Sequence, residues 1–193
     1  MANHFSVVHK DAYISGTMYP DSRWITGRKR EETHCADCLQ PEFADTDFTR
    51  GWHIHCLCDH IQSQVCRQLF PHWEQLSAAK RWLEKSVISM IQDQADMPAL
   101  DLDISLSWMN HPQGPLGEDP LLVQQYYDII RKVYAGKTRL SLNAYYELWL
   151  MVGLAQKKAR TVMDHMETRI KSQALVDTVT GVYPQMVRQA TAS

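Results

Sequence analysis

The sequence has no uninterrupted apolar run of about 18 residues, which a membrane-spanning helix would require. Its first residues, MANHFSVVHKDAY, lack the basic flank and apolar stretch of a secretory signal. We therefore expect a cytoplasmic protein with no membrane partner. A P-loop, a G-x-S-x-G motif and an H-E-x-x-H motif are also absent. These absences favour a non-catalytic protein.

The five cysteines are concentrated in one stretch of the chain, from Cys35 to Cys66. Structural disulfides are rare in a reducing compartment, and an odd number of thiols cannot all pair. A reactive cysteine would be a single activated thiolate beside a base, whereas the segment HCADC offers a close pair. The cysteines therefore predict a metal site.

Two pairs of side chains in this stretch have the spacing of zinc ligands. Cys35 and Cys38 are spaced as in a zinc knuckle, and His53 and Cys56 are spaced to share one face of a helix. Zinc prefers four tetrahedral nitrogen or sulfur ligands, and four protein ligands make a closed, structural site. We therefore predict a structural zinc ion held by these four residues.

The shifted pair His55 and Cys58 has the same spacing and is an alternative. If the segment after Trp52 is a helix, Cys58 falls within its apolar stripe, whereas His53 and Cys56 lie on the opposite side. This pattern favours His53 and Cys56 as ligands and Cys58 as a small core residue.

The segment WHIHC resembles the Trp-His-x-x-Cys signature that closes the first half of LIM-type and other treble-clef zinc fingers. The matching residues are Cys35, Cys38, Trp52, His53 and Cys56. The resemblance covers about 22 residues and implies a single zinc knuckle.

The rest of the chain is predicted to be mainly helical. Apolar residues at helical spacing predict a helix over residues 73 to 95, whereas LDLDISLSW, residues 100 to 108, alternates as a half-buried strand does, with Ile104 facing inward. The segment from 110 to 120, rich in proline and glycine, predicts a hinge. A long helix is predicted from Ser141 to about Thr180, ended by Gly181 and Pro184.

The predicted fold is therefore mainly α, in two parts. Residues 1–110 form a small zinc-binding α+β module with following helices and one strand, and residues 120–193 form a basic helical bundle. The distribution of charge supports the division into two parts, because residues 31–119 carry a net charge of −10 and residues 120–193 a net charge of +5.

Two groups of basic residues are candidates for contact with nucleic acid. The first precedes the knuckle and surrounds a potential stacking residue: Arg23, Trp24, Arg28, Lys29 and Arg30. The second lies on the predicted long helix, where a solvated face explains it equally well: Lys157, Lys158 and Arg160.

This layout, a zinc finger before a helical bundle, is similar to that of the small zinc-finger subunit of type IV CRISPR effector complexes. The resemblance implies a non-catalytic subunit or regulator that binds RNA or DNA within a multi-subunit complex. Plasmid- or phage-borne transcription regulators with one finger have a compatible layout. The alternatives are a protein–protein adaptor that uses the acidic face and the helical seam and, third, a metal-dependent hydrolase.

Overall fold

The computed structural model describes the backbone of residues 7–192 and the side chains of residues 7–182 and 184. Within this range the regular secondary structure is helical, and no strand is present. The α-helices are α1 Lys10–Met18, α2 Arg23–Thr26, α3 Arg30–Thr33, α4 Asp47–Leu69, α5 Ala78–Asp96, α6 Leu102–Ser107, α7 Pro120–Tyr134, α8 Leu142–Met151, α9 Gln156–Arg169 and α10 Gln173–Ala192. Short 3₁₀ turns span Tyr19–Ser22, Asp37–Leu39, Pro41–Phe43, Trp73–Gln75 and Met97–Ala99.

The prediction of a mainly helical fold is confirmed, but the β part of the predicted N-terminal module is wrong. Residues 102–107 form helix α6, and Asp101 caps its N-terminus by accepting a hydrogen bond from the Ile104 backbone N–H at 3.2 Å. Ile104, predicted to face inward, is 54% exposed. The alternating pattern misled because residues 7–192 contain no strand with which it could pair, whereas a helix cap needs only local contacts.

The predicted long helix is also wrong, because this region is divided into α8, α9 and α10. Helix α8 ends just before Gly153, which adopts a left-handed conformation with φ of +87°. The backbone N–H groups of Val152 and Gly153 donate the closing hydrogen bonds to the Leu148 and Leu150 carbonyls. At the far end, Gly181 and Pro184 do not terminate the chain's last helix, because α10 continues through both.

The contact between α1 and α4 is close because each helix has a glycine at the crossing. A Cβ atom at Gly51 would lie 2.0 Å from the Tyr13 carbonyl oxygen, and one at Gly16 would lie 2.0 Å from the Phe48 carbonyl oxygen. Only glycine permits such an approach of two backbones. This crossing holds the chain around Thr17 against the middle of α4.

The core consists of two clusters, and each contains residues from both sides of the predicted hinge. One includes Tyr19 and Trp52 together with Tyr127 of α7, and the other includes Val87 and Ile88 of α5 together with residues of α8 and α9. The division at 110–120 therefore stays a prediction. No described helix is both long enough and apolar enough to cross a membrane.

Candidate metal centre

Asp21, His34 and His55 bring three potential ligand atoms within 4.8 Å of one another. The Nε2 atoms of the two imidazoles are 3.1 Å apart, and the Asp21 Oδ1 atom is 4.0 Å from Nε2 of His34. Among the described residues, no other three His, Cys, Asp or Glu side chains have ligand atoms that all lie this close together. We call these three residues the His/Asp centre.

Three separate segments position the His/Asp centre. Asp21 lies in the 3₁₀ turn that follows α1, His34 is the C-terminal cap of α3, and His55 lies in the middle of α4. The close crossing of α1 and α4 is what brings the first and third of these segments together.

Hydrogen bonds at the far side of each ring orient the two imidazoles. Nδ1 of His55 is 2.8 Å from the Thr17 carbonyl oxygen, which can only accept, so Nδ1 carries a proton and donates this hydrogen bond. Nδ1 of His34 is 2.9 Å from the Thr33 hydroxyl. Histidines that bind metals commonly have such a partner on the opposite nitrogen, because it fixes both the ring and the tautomer.

The surroundings keep His34 uncharged. Burial, followed by the nearby Arg30 guanidinium and His55, lowers the pKa of His34 to about 4. The ring is therefore neutral near pH 7, which is the form that coordinates a metal ion. The two Nε2 atoms lie within hydrogen-bond distance of each other, and with the carboxylate beside them they are a candidate donor set for a cation.

A second carboxylate, Asp59, borders the centre. Its Oδ2 atom is 3.6 Å from Nε2 of His34 and 3.9 Å from Nζ of Lys85, and it also accepts a hydrogen bond from Arg30. Burial alone would raise the pKa of Asp59, but Lys85 and Arg30 outweigh it and hold that pKa at about 2. Asp59 is therefore anionic at neutral pH.

Of the three residues of the His/Asp centre, Asp21 also lines a cavity of about 1070 Å³, whose wall includes residues of both core clusters. Asp21 and Asp59 lie in the cavity wall beside Arg23, Arg30 and Lys85. The remainder of the wall is largely apolar and aromatic: Met18, Trp24, Trp82, Met90, Leu106, Ile130, Leu148 and Trp149. A concave, mostly apolar site of this volume with a few convergent polar groups is typical of small-molecule binding.

The predicted zinc ligands lie close to this centre but in a different arrangement. Cys35 and Cys38 form a disulfide, and a disulfide does not supply two thiolate ligands. Nδ1 of His53 is 2.8 Å from the Cys38 carbonyl oxygen, and the Cys56 thiol faces the Thr33 carbonyl at 3.7 Å. The four-ligand site therefore stays a prediction for the reduced protein.

Of the alternative pair, His55 belongs to the His/Asp centre, whereas Cys58 does not. Cys58, predicted to be a core residue, is only partly buried. Burial raises the pKa of Cys56 to about 12, so this thiol is protonated at neutral pH.

Sequence reasoning did not select Asp21 or His34, because these residues are distant in the chain from each other and from His55. The sequence contained a signal only for the neighbouring Asp59: His55 and Asp59 are spaced i, i+4, which places both side chains on one face of a helix.

Most basic side chains of the loop before the predicted knuckle already contact other residues of the protein. Arg23 lies 3.8 Å from Asp21 and stacks on Trp24, and Arg28 lies 3.5 Å from the buried Glu118. Arg30 pairs with Asp59, and Lys29 is exposed.

The second basic group is differently placed. Lys157, Lys158 and Arg160 are exposed near the start of α9 and make no ion pair with any residue that the structure describes. The Arg160 guanidinium lies over the ring of Tyr146, 4.7 Å from its centroid. This surface therefore presents three cations to a partner.

Comparisons with protein families, with curated proteins and with solved structures find no match to this chain. The fold and the site thus define the class of protein: a mainly helical bundle with a candidate metal centre.

Proposed function

We propose that this protein is a metal-dependent hydrolase of phosphoesters, with one zinc ion bound by Asp21, His34 and His55. The observation that carries the proposal is the pair of inward-facing Nε2 atoms, 3.1 Å apart, beside a carboxylate at the edge of a large cavity. Three protein ligands leave one coordination position for a water molecule or a substrate, as catalytic zinc sites require.

The side chains present suit zinc. Two neutral imidazole nitrogens and a carboxylate oxygen are common zinc ligands, whereas magnesium and calcium prefer oxygen donors throughout. Asp59, anionic and close to His34, adds a second negative charge beside the three proposed ligands. A bound ion would supply Lewis acidity, which activates water near neutral pH and polarises a phosphoryl oxygen.

Three cations beside the centre support an anionic substrate. Arg23, Arg30 and Lys85 lie in the cavity wall, where Arg23 pairs with Asp21 and the other two pair with Asp59. Arginine and lysine are the side chains that hold phosphoryl groups during transfer to water. Because the rest of the wall is largely apolar, the substrate proposed is a phosphoester with an apolar organic group.

This proposal differs from the order of functions that the sequence alone favoured. The sequence suggested a closed zinc site, which has no position for substrate. The His/Asp centre has only three ligand residues, and one of them, Asp21, lines a cavity, which supports the hydrolase that the sequence placed third.

Hydrolysis of p-nitrophenyl phosphate and bis(p-nitrophenyl) phosphate tests the proposal directly. We expect turnover by the zinc-loaded protein, loss of turnover on chelation, and recovery on adding zinc. The Asp21→Asn variant should lose about 100-fold or more in activity, because even partners of metal ligands contribute about 10- to 100-fold. Asp164→Asn, at an exposed carboxylate of α9, is the matched control and should retain activity. A zinc-loaded protein with no turnover of either ester would contradict the proposal.

A second candidate function is that of a non-catalytic subunit of a nucleic-acid complex, possible partners being RNA or DNA and other protein subunits. The exposed cations of α9 favour it, because they are not neutralised within the described part of the chain. The resemblance in layout to a type IV CRISPR subunit belongs to this candidate and stays a prediction.

Gel-shift titrations over a range of salt concentrations test the α9 surface. Changing Lys157, Lys158 and Arg160 to alanine should weaken binding and reduce the salt slope by about 2 to 3, since each lost phosphate contact contributes about 0.9. Lys171→Ala is the control, because Lys171 is already paired with Glu167 at 3.4 Å. An unchanged slope in the triple variant would show that α9 does not contact phosphate.

A further inference from the structure

The carboxylates of the cavity are not equivalent in their charge pairing. Four acidic side chains lie in the described part of the wall, and three of them have cationic partners: Asp21 with Arg23, Asp59 with Arg30 and Lys85, and Glu74 with Arg67 and Arg81. The fourth, Asp93 of α5, makes no ion pair with any described residue.

Among the residues that the structure describes, two tyrosine hydroxyls are the hydrogen-bond partners of the Asp93 side chain. Its Oδ2 atom accepts hydrogen bonds from Tyr134 at 3.1 Å and from Tyr145 at 3.2 Å. Its Oδ1 atom accepts none from the residues that the structure describes. The two tyrosines therefore fix the carboxylate while one of its oxygen atoms remains available.

Burial raises the pKa of Asp93 to about 6, and the two tyrosine hydroxyls moderate the rise. The side chain is still largely ionised above pH 7. An ionised carboxylate inside a protein is normally paired, because its desolvation is otherwise uncompensated. Asp93 thus presents an unmatched negative charge to the cavity.

Aromatic side chains in the same wall suit a cation. Trp149 lies in the wall with Tyr134 and Tyr145, and its ring centroid is 5.7 Å from those of Trp24 and Trp82. The faces of such rings attract ammonium groups, most strongly where water is excluded.

We infer that Asp93, with Tyr134, Tyr145 and Trp149, forms a second subsite of the cavity that binds an organic ammonium group. The subsite shares no residue with the His/Asp centre, and it has aromatic rings where that centre has imidazoles. It goes beyond the proposed hydrolase function and does not depend on a bound metal.

Calorimetric titration of the full-length, metal-free protein with n-hexylammonium at pH 7.5 tests the subsite. We expect saturable binding of one probe per chain and at least a 10-fold loss of affinity in Asp93→Asn. Asparagine has nearly the same shape and retains an oxygen to accept the tyrosine hydrogen bonds, so the fold should be preserved. Asp96→Asn is the matched control, because Asp96 is exposed on the same helix and its side chain accepts a hydrogen bond from Gln92, its one such partner in the described part of the chain. The neutral probe 1-hexanol should bind at least 10-fold more weakly than n-hexylammonium.

Three results would overturn the inference: no saturable binding, equal affinity for 1-hexanol, or equal affinity in Asp93→Asn. If Asp93→Asn does not fold, a pH titration of the Asp93 carboxyl ¹³C resonance in the unaltered protein tests the inference instead. Its pKa should fall when n-hexylammonium is present, and an unchanged titration would exclude the contact. Since no metal and no hydrolysis is involved, these results are independent of the phosphoesterase assay.

Discussion

Replacing His34 or His55 with alanine should remove zinc from this protein while leaving its helices in place. In each variant one of the two facing Nε2 donors is lost, and the remaining two side chains cannot hold the ion tightly. We expect about one zinc per chain in the parent and a substoichiometric amount in each variant, measured by metal analysis of the purified proteins. Circular dichroism should report nearly unchanged helix content.

The controls distinguish the His/Asp centre from the cysteine site that the sequence suggested. His60→Ala changes an exposed histidine on the same helix, and it should retain the metal. Cys38→Ser and Cys56→Ser should retain it as well. Loss of zinc from the two cysteine variants, together with its retention in His34→Ala and His55→Ala, would show that Cys35, Cys38, His53 and Cys56 hold the ion.

Gly51→Ala should destabilise the fold by about 3 kcal/mol or more, because overpacking here presses on backbone rather than on a movable side chain. The new Cβ would lie 2.0 Å from the Tyr13 carbonyl oxygen and 2.7 Å from the Thr17 backbone nitrogen. Helix α1 must therefore move away from α4. Urea denaturation followed by circular dichroism measures the change in the free energy of unfolding.

The same displacement should weaken metal binding. Thr17 supplies the carbonyl that orients His55, and Asp21 follows a few residues later. Gly181→Ala is the matched control: a Cβ atom there would meet no described atom within 4 Å beyond its own helix backbone and its chain neighbours, so alanine should stabilise by about 0.5–1 kcal/mol. Similar stability of Gly51→Ala and the parent would mean that α1 and α4 do not cross as closely as described.

Local sequence patterns determined much of the helical architecture. The apolar stripe after Trp52 correctly predicted a helix, and α4 begins slightly earlier, at Asp47, where Thr46 caps it by accepting a hydrogen bond from the Thr49 backbone N–H. The helix predicted over residues 73–95 corresponds to α5, Ala78–Asp96. Such features are readable because periodicity and capping depend on residues only a few positions apart.

The alternation of apolar and polar residues wrongly predicted a strand. Residues 100–108 alternate between apolar and polar residues, yet the same residues offer a capping aspartate, and the chain supplies no adjacent strand in the described region. A strand is stabilised by its neighbours, so its sequence alone does not decide the outcome.

The His/Asp centre was decided by tertiary structure alone. The sequence showed histidines and cysteines concentrated near residue 55, and it correctly indicated a possible metal site in that region. It did not indicate that Asp21 and His34 would meet His55, because their contact depends on how closely α1 crosses α4 at Gly16 and Gly51. Ligand spacing along one segment is a local property, whereas the distance between donors on three segments follows from helix packing.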